Sequence, residues 1–228
     1  MCNCNETCTK KMKRLLYIST IVLLMALAIG CSDDEPYEYG DFRFDMVTFT
    51  GYDAERAVFS LLQRDDSEIT LRTASRCSLD VNQGQRMLLN YIPAGAATGG
   101  VQEISARGYT EAVTDSLRYT SRPDSVVMDS VRLKSIWRTG DYLNLSTEVK
   151  FTEGKRQLYL VMDKDTWHSD TVRAYLAHNM MGQQAYFWRK CYLSFYIGAV
   201  WKLQSCKVLR VYLNDVIYPK VEYYDFAK

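Results

Sequence analysis

A chain of 228 residues with 28 Lys and Arg against 27 Asp and Glu carries a formal charge of +1, which argues against nucleic-acid binding through a general positive field. At 47% hydrophobic and 13% aromatic it can bury a core and is not a disordered chain. With only two histidines, His168 and His178, metal and general-base chemistry have few residues to draw on, and neither a metal nor a cofactor is expected.

The first element is an address. Lys13 and Arg14 precede an unbroken, mainly apolar run of 15 residues, Leu15 to Ile29, that closes on Gly30 and Cys31. A basic start, an apolar middle and small residues at the end make a secretory signal. As a helix the run would reach roughly 22 Å, short of a hydrocarbon core of about 30 Å, so a permanent span is disfavoured. Ala28-Ile29-Gly30-Cys31 resembles the bacterial lipobox, whose cysteine becomes the acylated first residue, although the usual Leu falls one place early, at Leu27. Acylation at Cys31 would make a membrane the first partner, since each buried methylene contributes about 0.8 kcal/mol. Residues 31–40, with Ser32-Asp33-Asp34-Glu35 and Pro36, read either as a hydrophilic tether or as a surface-export signal. Cys2, Cys4 and Cys8 precede a better start at Met12, and residues 1–11 read as a mis-set start or a discarded extension.

From Asp41 the hydrophobic period is two. Phe42, Phe44 and Met46 alternate, and Val58–Leu62, Ile69–Arg72, Gln85–Ile92 and Val101–Arg107 are short runs rich in β-branched and aromatic residues, the pattern of antiparallel strands. Asp65-Asp66-Ser67 is a hairpin turn, and Ala94 to Gly100 is a loop that lacks the spacing of a phosphate-binding glycine motif. Thr120 to Ser125, with Pro123, interrupts the pattern as a linker between two domains of about 90 to 100 residues each. Beyond it Val131 and Leu133, then Leu143 to Val149, then Leu158 to Met162, then Val208 to Leu213 continue as strands, with Thr139-Gly140-Asp141 as a turn. Tyr186 to Trp201 reads as one aromatic strand broken or bulged at Gly198.

Candidate chemistry is thin. Trp167-His168-Ser169-Asp170 holds the residue types of a hydrolase triad, but in an extended segment Ser169 points away from His168 and Asp170, and no Gly-x-Ser-x-Gly elbow exists elsewhere, so no catalytic residue is assigned. His178 reads as a capped or solvent-facing turn residue before Met180-Met181-Gly182. Cys191 and Cys206 would close a loop of about 15 residues, worth about 3 kcal/mol if bridged; three buried thiols, Cys77 included, are the equal alternative. Tyrosine is over-used, 17 residues, and with the tryptophans it serves first as β core; Trp137, Tyr142, Trp167 and Trp188 are the candidates for ligand stacking.

Taken together, the lipobox, the acidic tether, Gly84-Gln-Arg-Met-Leu-Leu-Asn-Tyr91, the polar linker and Val131 through Leu145 resemble the NigD-like lipoproteins. Ile136-Trp137 and Gly140-Asp141-Tyr142-Leu143-Asn144 carry most of the likeness, with Arg156 to Val161 and Leu176 to Asn179 beside them; Ala97 to Gly100 and the cysteine-bearing final strands depart from it. The resemblance implies an all-β chain, an OB-like barrel over residues 41–119 and an immunoglobulin-like β-sandwich over 129–228, joined by a linker at 120–128. It brings no catalytic residues. The family's association with a bacteriocin gene cluster implies an accessory or immunity-like role. The expected function is therefore a non-enzymatic lipoprotein of the cell envelope, in the outer membrane with surface exposure as the further expectation, binding an envelope protein. Binding of a surface glycan through exposed aromatics is the alternative.

Overall fold

The computed structural model describes residues 41–115, 117–221 and 223–228, so the leader, Cys31 and the tether at 31–40 lie outside the described residues. Among the described residues no helix is long and apolar enough to cross a membrane. Asp41–Lys228 form one compact unit.

Its first half is a closed five-stranded barrel. β1 (Arg43–Asp53), β2 (Arg56–Leu62), β3 (Glu68–Thr73), β4 (Arg86–Pro93) and β5 (Val101–Glu111) close in the order β1-β2-β3-β5-β4. All pairings are antiparallel except β3 with β5. Closure removes the free edges that a short sheet would otherwise expose. The interior is Val47, Phe49, Phe59, Leu71, Met87, Leu89, Tyr91 and Ile104, with Ala57 as the small residue among them. β1 curls through a bulge between Phe49 and Gly51, where Gly51 takes a φ of 126°.

Period two is right for β1, and its phase is the finding. The inward residues are Val47 and Phe49, whereas Phe42 and Phe44 are exposed and Met46, on their side of the strand, is buried outside the barrel core. Opposed residues share a face, so Met46 and Thr48 lie with Leu88 and Arg86 of β4 on the outer wall. That wall is covered by the second half of the chain.

The second half is a sandwich. β7 (Val131–Thr139), β8 (Tyr142–Lys150) and β11 (Trp188–Tyr196) form one sheet in the order β11-β8-β7; β6 (Arg118–Thr120), β9 (Gln157–Asp163), β10 (Thr171–Asn179), β12 (Val208–Tyr212) and β13 (Tyr223–Ala227) form the other in the order β13-β12-β10-β9-β6. β6 runs parallel to β9 just before the proline-bearing segment, which makes a single 3-10 turn at Pro123–Ser125. Leu143, Leu145 and Val149 from the smaller sheet meet Leu160, Met162, Val172, Ala174 and Leu209 from the larger one in a single core. The architecture is thus all-β, with one four-residue α-helix among the described residues, α1 (Gly198–Trp201).

That helix corrects the reading of Tyr186 to Trp201 as one strand. The strand proper is Trp188–Tyr196, and at Gly198 the backbone turns into α1 rather than bulging. A Cβ at Gly198 would sit 2.5 Å from the Tyr196 hydroxyl, so a larger residue there would displace the Tyr196 and Asp141 side chains.

Candidate functional site

The outer face of the β11-β8-β7 sheet carries Tyr142, Asn144 and Ser146 on β8, opposed by Tyr196, Ser194 and Tyr192 on β11 and by Thr139, Trp137 and Ser135 on β7. A sandwich face of this kind ordinarily meets water. Here it meets the barrel wall of β1 and β4, and the joint is built around Arg86.

Arg86 is 2% exposed. Its guanidinium donates to the Ser194 hydroxyl at 2.9 Å, the Asn144 side-chain oxygen at 3.1 Å and the Thr48 hydroxyl at 3.2 Å, and it lies 4.2 Å from the centre of the Tyr142 ring. Ser194 donates in turn to Asn144 at 2.8 Å, and the Asn144 amide donates to Thr139 at 2.9 Å. Among the described residues no carboxylate pairs with this cation. Burial therefore pushes the Arg86 pKa down to about 10, while neutral acceptors and the ring face keep it charged at neutral pH.

Two further contacts brace the joint. Val113, in the segment leaving the barrel, donates its N–H to Tyr192 O and accepts from Ser194 N, so that segment runs beside β11. Arg138 reaches from β7 to the Arg64 carbonyl at 3.2 Å and to the Asp66 carboxylate, binding the β2–β3 hairpin. Gly140, at φ 52°, faces Leu62 of the barrel so closely that a Cβ there would fall 2.6 Å from Leu62 Cδ1.

Beside the joint, where the barrel mouth meets β7, opens a cleft of about 850 Å³. Its barrel wall includes Arg43, Phe44, Asp45, Leu61, Gln63, Arg64, Ile69, Tyr91 and Gln102; its other wall is Ser135, Ile136, Trp137 and Thr139. β7 is the last strand of its sheet, so one edge of it has no neighbouring strand in that sheet. At the floor the Tyr91 hydroxyl donates to Asp45 at 2.8 Å. Burial, and then the Asp45 carboxylate, raise the Tyr91 pKa above the ordinary phenol range, so this hydroxyl stays a neutral donor. The Gln102 amide is tied to the Gly95 and Glu103 carbonyls at 2.9 and 2.7 Å. The cleft thus offers mixed walls, with Phe44, Leu61, Ile69, Ile136 and Trp137 as apolar surface and Arg43, Asp45 and Arg64 as charged groups beside the fixed Tyr91 and Gln102.

The four aromatics singled out in the sequence do not assemble into one platform. Trp137 lines the cleft. Tyr142 lies under Arg86 and edge-on to Tyr196, with ring centres 5.7 Å apart. Trp188 sits at the far end of the same sheet, opposite Lys150, with Arg132 over its ring. Trp167 belongs to the β9–β10 connection and packs edge-on against Tyr119.

The remaining candidates are placed as plainly. The Ser169 hydroxyl lies 2.7 and 2.6 Å from the carbonyl oxygens of Thr166 and Thr171 and donates its one proton within its own turn, and His168 beside it is exposed. His178 is not solvent-facing: it is fully buried in β10, its Nδ1 is 3.1 Å from Asp129 O, and burial lowers its pKa. The backbone there is paired with Val127 to Asp129, which run alongside the end of β10 and seal the ring in. Cys191 and Cys206 are free thiols rather than a bridge: Cys191 lies on β11 in the smaller sheet, and Cys206 lies just before β12 in the larger one. Arg86 had no role in the sequence reading. Its signal was an arginine on a strand whose other face, Met87, Leu89 and Tyr91, is wholly apolar.

Comparison with known proteins places this architecture. No curated protein matches the chain. A protein of unknown function from Bacteroides vulgatus has a similar structure, with a TM-score of 0.63 and 20% identity over 82% of this chain and 90% of that one. A NigD-like immunity protein from Bacteroides caccae aligns at a TM-score of 0.55 and 18% identity, covering 84% of this chain and 99% of that one. A candidate lipoprotein from Bacteroides fragilis aligns at 0.56 and 7% identity, covering 82% and 96%. At these identities the likeness is one of fold, and its extent takes in the barrel as well as the sandwich. Residues 116–226 match the family model of the NigD-like C-terminal beta sandwich domain, so the second half of the chain carries that domain.

Proposed function

We propose that this NigD-like chain is a non-enzymatic lipoprotein of the cell envelope that binds a protein partner in the cleft between barrel mouth and β7, in an immunity-like or bacteriocin-associated role. The observation that carries the reading is the cleft itself: two domains contribute one wall each, and the Arg86 joint holds those walls in fixed register. A preorganised site loses little freedom on binding, which favours recognition. The open edge of β7 suits an extended segment of the partner, which would add main-chain hydrogen bonds beside Ser135 to Trp137 while its side chains enter the barrel mouth, where apolar and charged groups alternate. The engaged Ser169 hydroxyl and the sealed His178 ring favour binding over hydrolysis. The lipobox at Cys31 and the candidate lipoprotein among the structural relatives support an envelope location, with the outer membrane and surface display as its finer form.

Photocrosslinking tests this reading. A photoreactive side chain at Gln63, at the cleft rim, is expected to give one discrete protein adduct in the native bacterium, abolished by Ile136→Arg. No adduct beyond that from a label at Tyr109 would overturn it. Trp137 in the cleft wall also favours the glycan alternative, which would show as a Trp137-dependent fluorescence change with polysaccharide and no protein adduct.

A further inference from the structure

The loops at the end of the sandwich remote from Arg86 form a second surface. Lys150 at the close of β8 faces Trp188 at the start of β11, Asn179 at the close of β10 faces Gln157 at the start of β9, and Tyr212 at the close of β12 faces Tyr223 at the start of β13. β10 and β12 are parallel, so the β8–β9, β10–β11 and β12–β13 loops share one end. They are braced there. Phe151 N donates to Phe187 O at 2.7 Å, Gly154 N donates to the Gln183 side chain at 2.8 Å, and Asp215 accepts from Leu133 N and Ile217 N at 3.2 and 2.9 Å.

The tips of these braced loops are apolar and open. Met181, Tyr186, Phe187, Ile217, Tyr218 and Val221 are all exposed, Phe187 at 58% and Tyr218 at 59%. Scattered exposed apolar side chains need no explanation, but a set brought to one end by two separate loops does. Around them stand Lys155, Arg189, Lys190 and Lys220, exposed, with Lys150 and Arg156 half-buried behind. Among the described residues none of these six cations is in an ion pair, and the acids of the same loops are Glu153, the buried Asp215 and, in the sequence, Glu222.

From this arrangement we infer that the loop end is an interfacial membrane contact, in which Phe187, Tyr218 and their neighbours enter the headgroup level of an anionic bilayer while the surrounding lysines and arginines meet lipid phosphates. Aromatic rings beside cations outside ion pairs suit that boundary, where the ring is half solvated and each cation is attracted to the anionic surface. A protein partner fits less well, because the centres of protein interfaces are depleted in lysine. The contact rests on the loops and holds whether or not Cys31 is acylated.

Brominated-lipid quenching tests it on the full chain. Tyr218→Trp places a reporter at the tip and Tyr109→Trp places a control on the exposed barrel. In liposomes of phosphatidylethanolamine and phosphatidylglycerol with brominated acyl chains, the reporter at position 218 is expected to be quenched severalfold more than the control. Replacing phosphatidylglycerol by phosphatidylcholine, or combining Lys190→Glu with Lys220→Glu, should remove most of that difference. Equal quenching at positions 218 and 109 would overturn the inference, as would a reporter that responds to added envelope protein and not to lipid.

Discussion

The two ends of the sandwich treat cations in opposite ways. At the joint, Arg86 is sealed from water and held by hydroxyls, an amide oxygen and a ring face, with no carboxylate in the pairings described. At the loop end, Arg189, Lys190 and Lys220 stand in solvent beside exposed Phe187 and Tyr218. The same charge is a structural part in one place and a free contact in the other. Burial makes the difference, because a desolvated cation must have every donor placed, whereas a solvated one contributes little to stability and stays available.

Breaking the joint should have the largest effect. Arg86→Ala removes the guanidinium donor shared by Asn144, Ser194 and Thr48 and opens a void, and is expected to cost about 3 kcal/mol in urea unfolding. Arg86→Met fills the space and removes the buried charge, and should cost less, about 1 kcal/mol. Equal losses in the two variants would mean that volume rather than hydrogen bonding holds the domains together. Gly140→Ala is expected to cost about 2 kcal/mol, from the positive φ and the collision with Leu62, and to move the barrel against β7. Its cleft should then give a weaker Gln63 adduct than the parent chain.

His178 sharpens the comparison through pH. Its folded pKa is lowered by burial, so the unfolded chain takes up the proton first as pH falls. Stability from this residue is complete above the ordinary imidazole value near 6.5 and is lost as pH drops from there toward the lowered folded value. A series of urea midpoints from pH 8 to 5 should show that acid limb, and His178→Leu should flatten it. The smallest effect belongs to the loop tips: Tyr218→Ser should change unfolding by less than about 0.5 kcal/mol while abolishing the lipid contact. A large loss of stability instead would mean that Tyr218 packs in solution.

Much of the strand pattern was legible. Ile69 to Leu71, Gln85 to Ile92 and Leu143 to Val149 declare themselves by alternation, and the turns at Asp65 to Ser67 and Thr139 to Asp141 by their residues. The candidate site was only half legible. Trp137 was picked as a ligand-stacking residue and does line the cleft, yet the reason it lies there, a barrel wall laid across an outer sheet face, has no local signature. Nothing in the alternation singles out Arg86, because alternation marks the face that meets a core and is silent on whether the opposite face meets water or another domain. His178 was misplaced for a related reason: the segment that buries it, Val127 to Asp129, lies some fifty residues away in sequence, Asp129 bonding His178 across a separation of 49.

By itself the amino-acid order determined that this chain is a succession of short strands, where most of them turn, and that it resembles the NigD-like group. Those properties arise between residues two to four apart, where backbone sterics and side-chain alternation act. Only the tertiary structure decided which outer faces are covered, that β3 with β5 and β10 with β12 pair in parallel, that Arg86 is buried while Lys220 is not, and that two loops bring their apolar tips to one end. Each of these depends on surfaces distant in sequence finding a common boundary away from water, and desolvation of that kind is a property of the assembled fold, not of any segment.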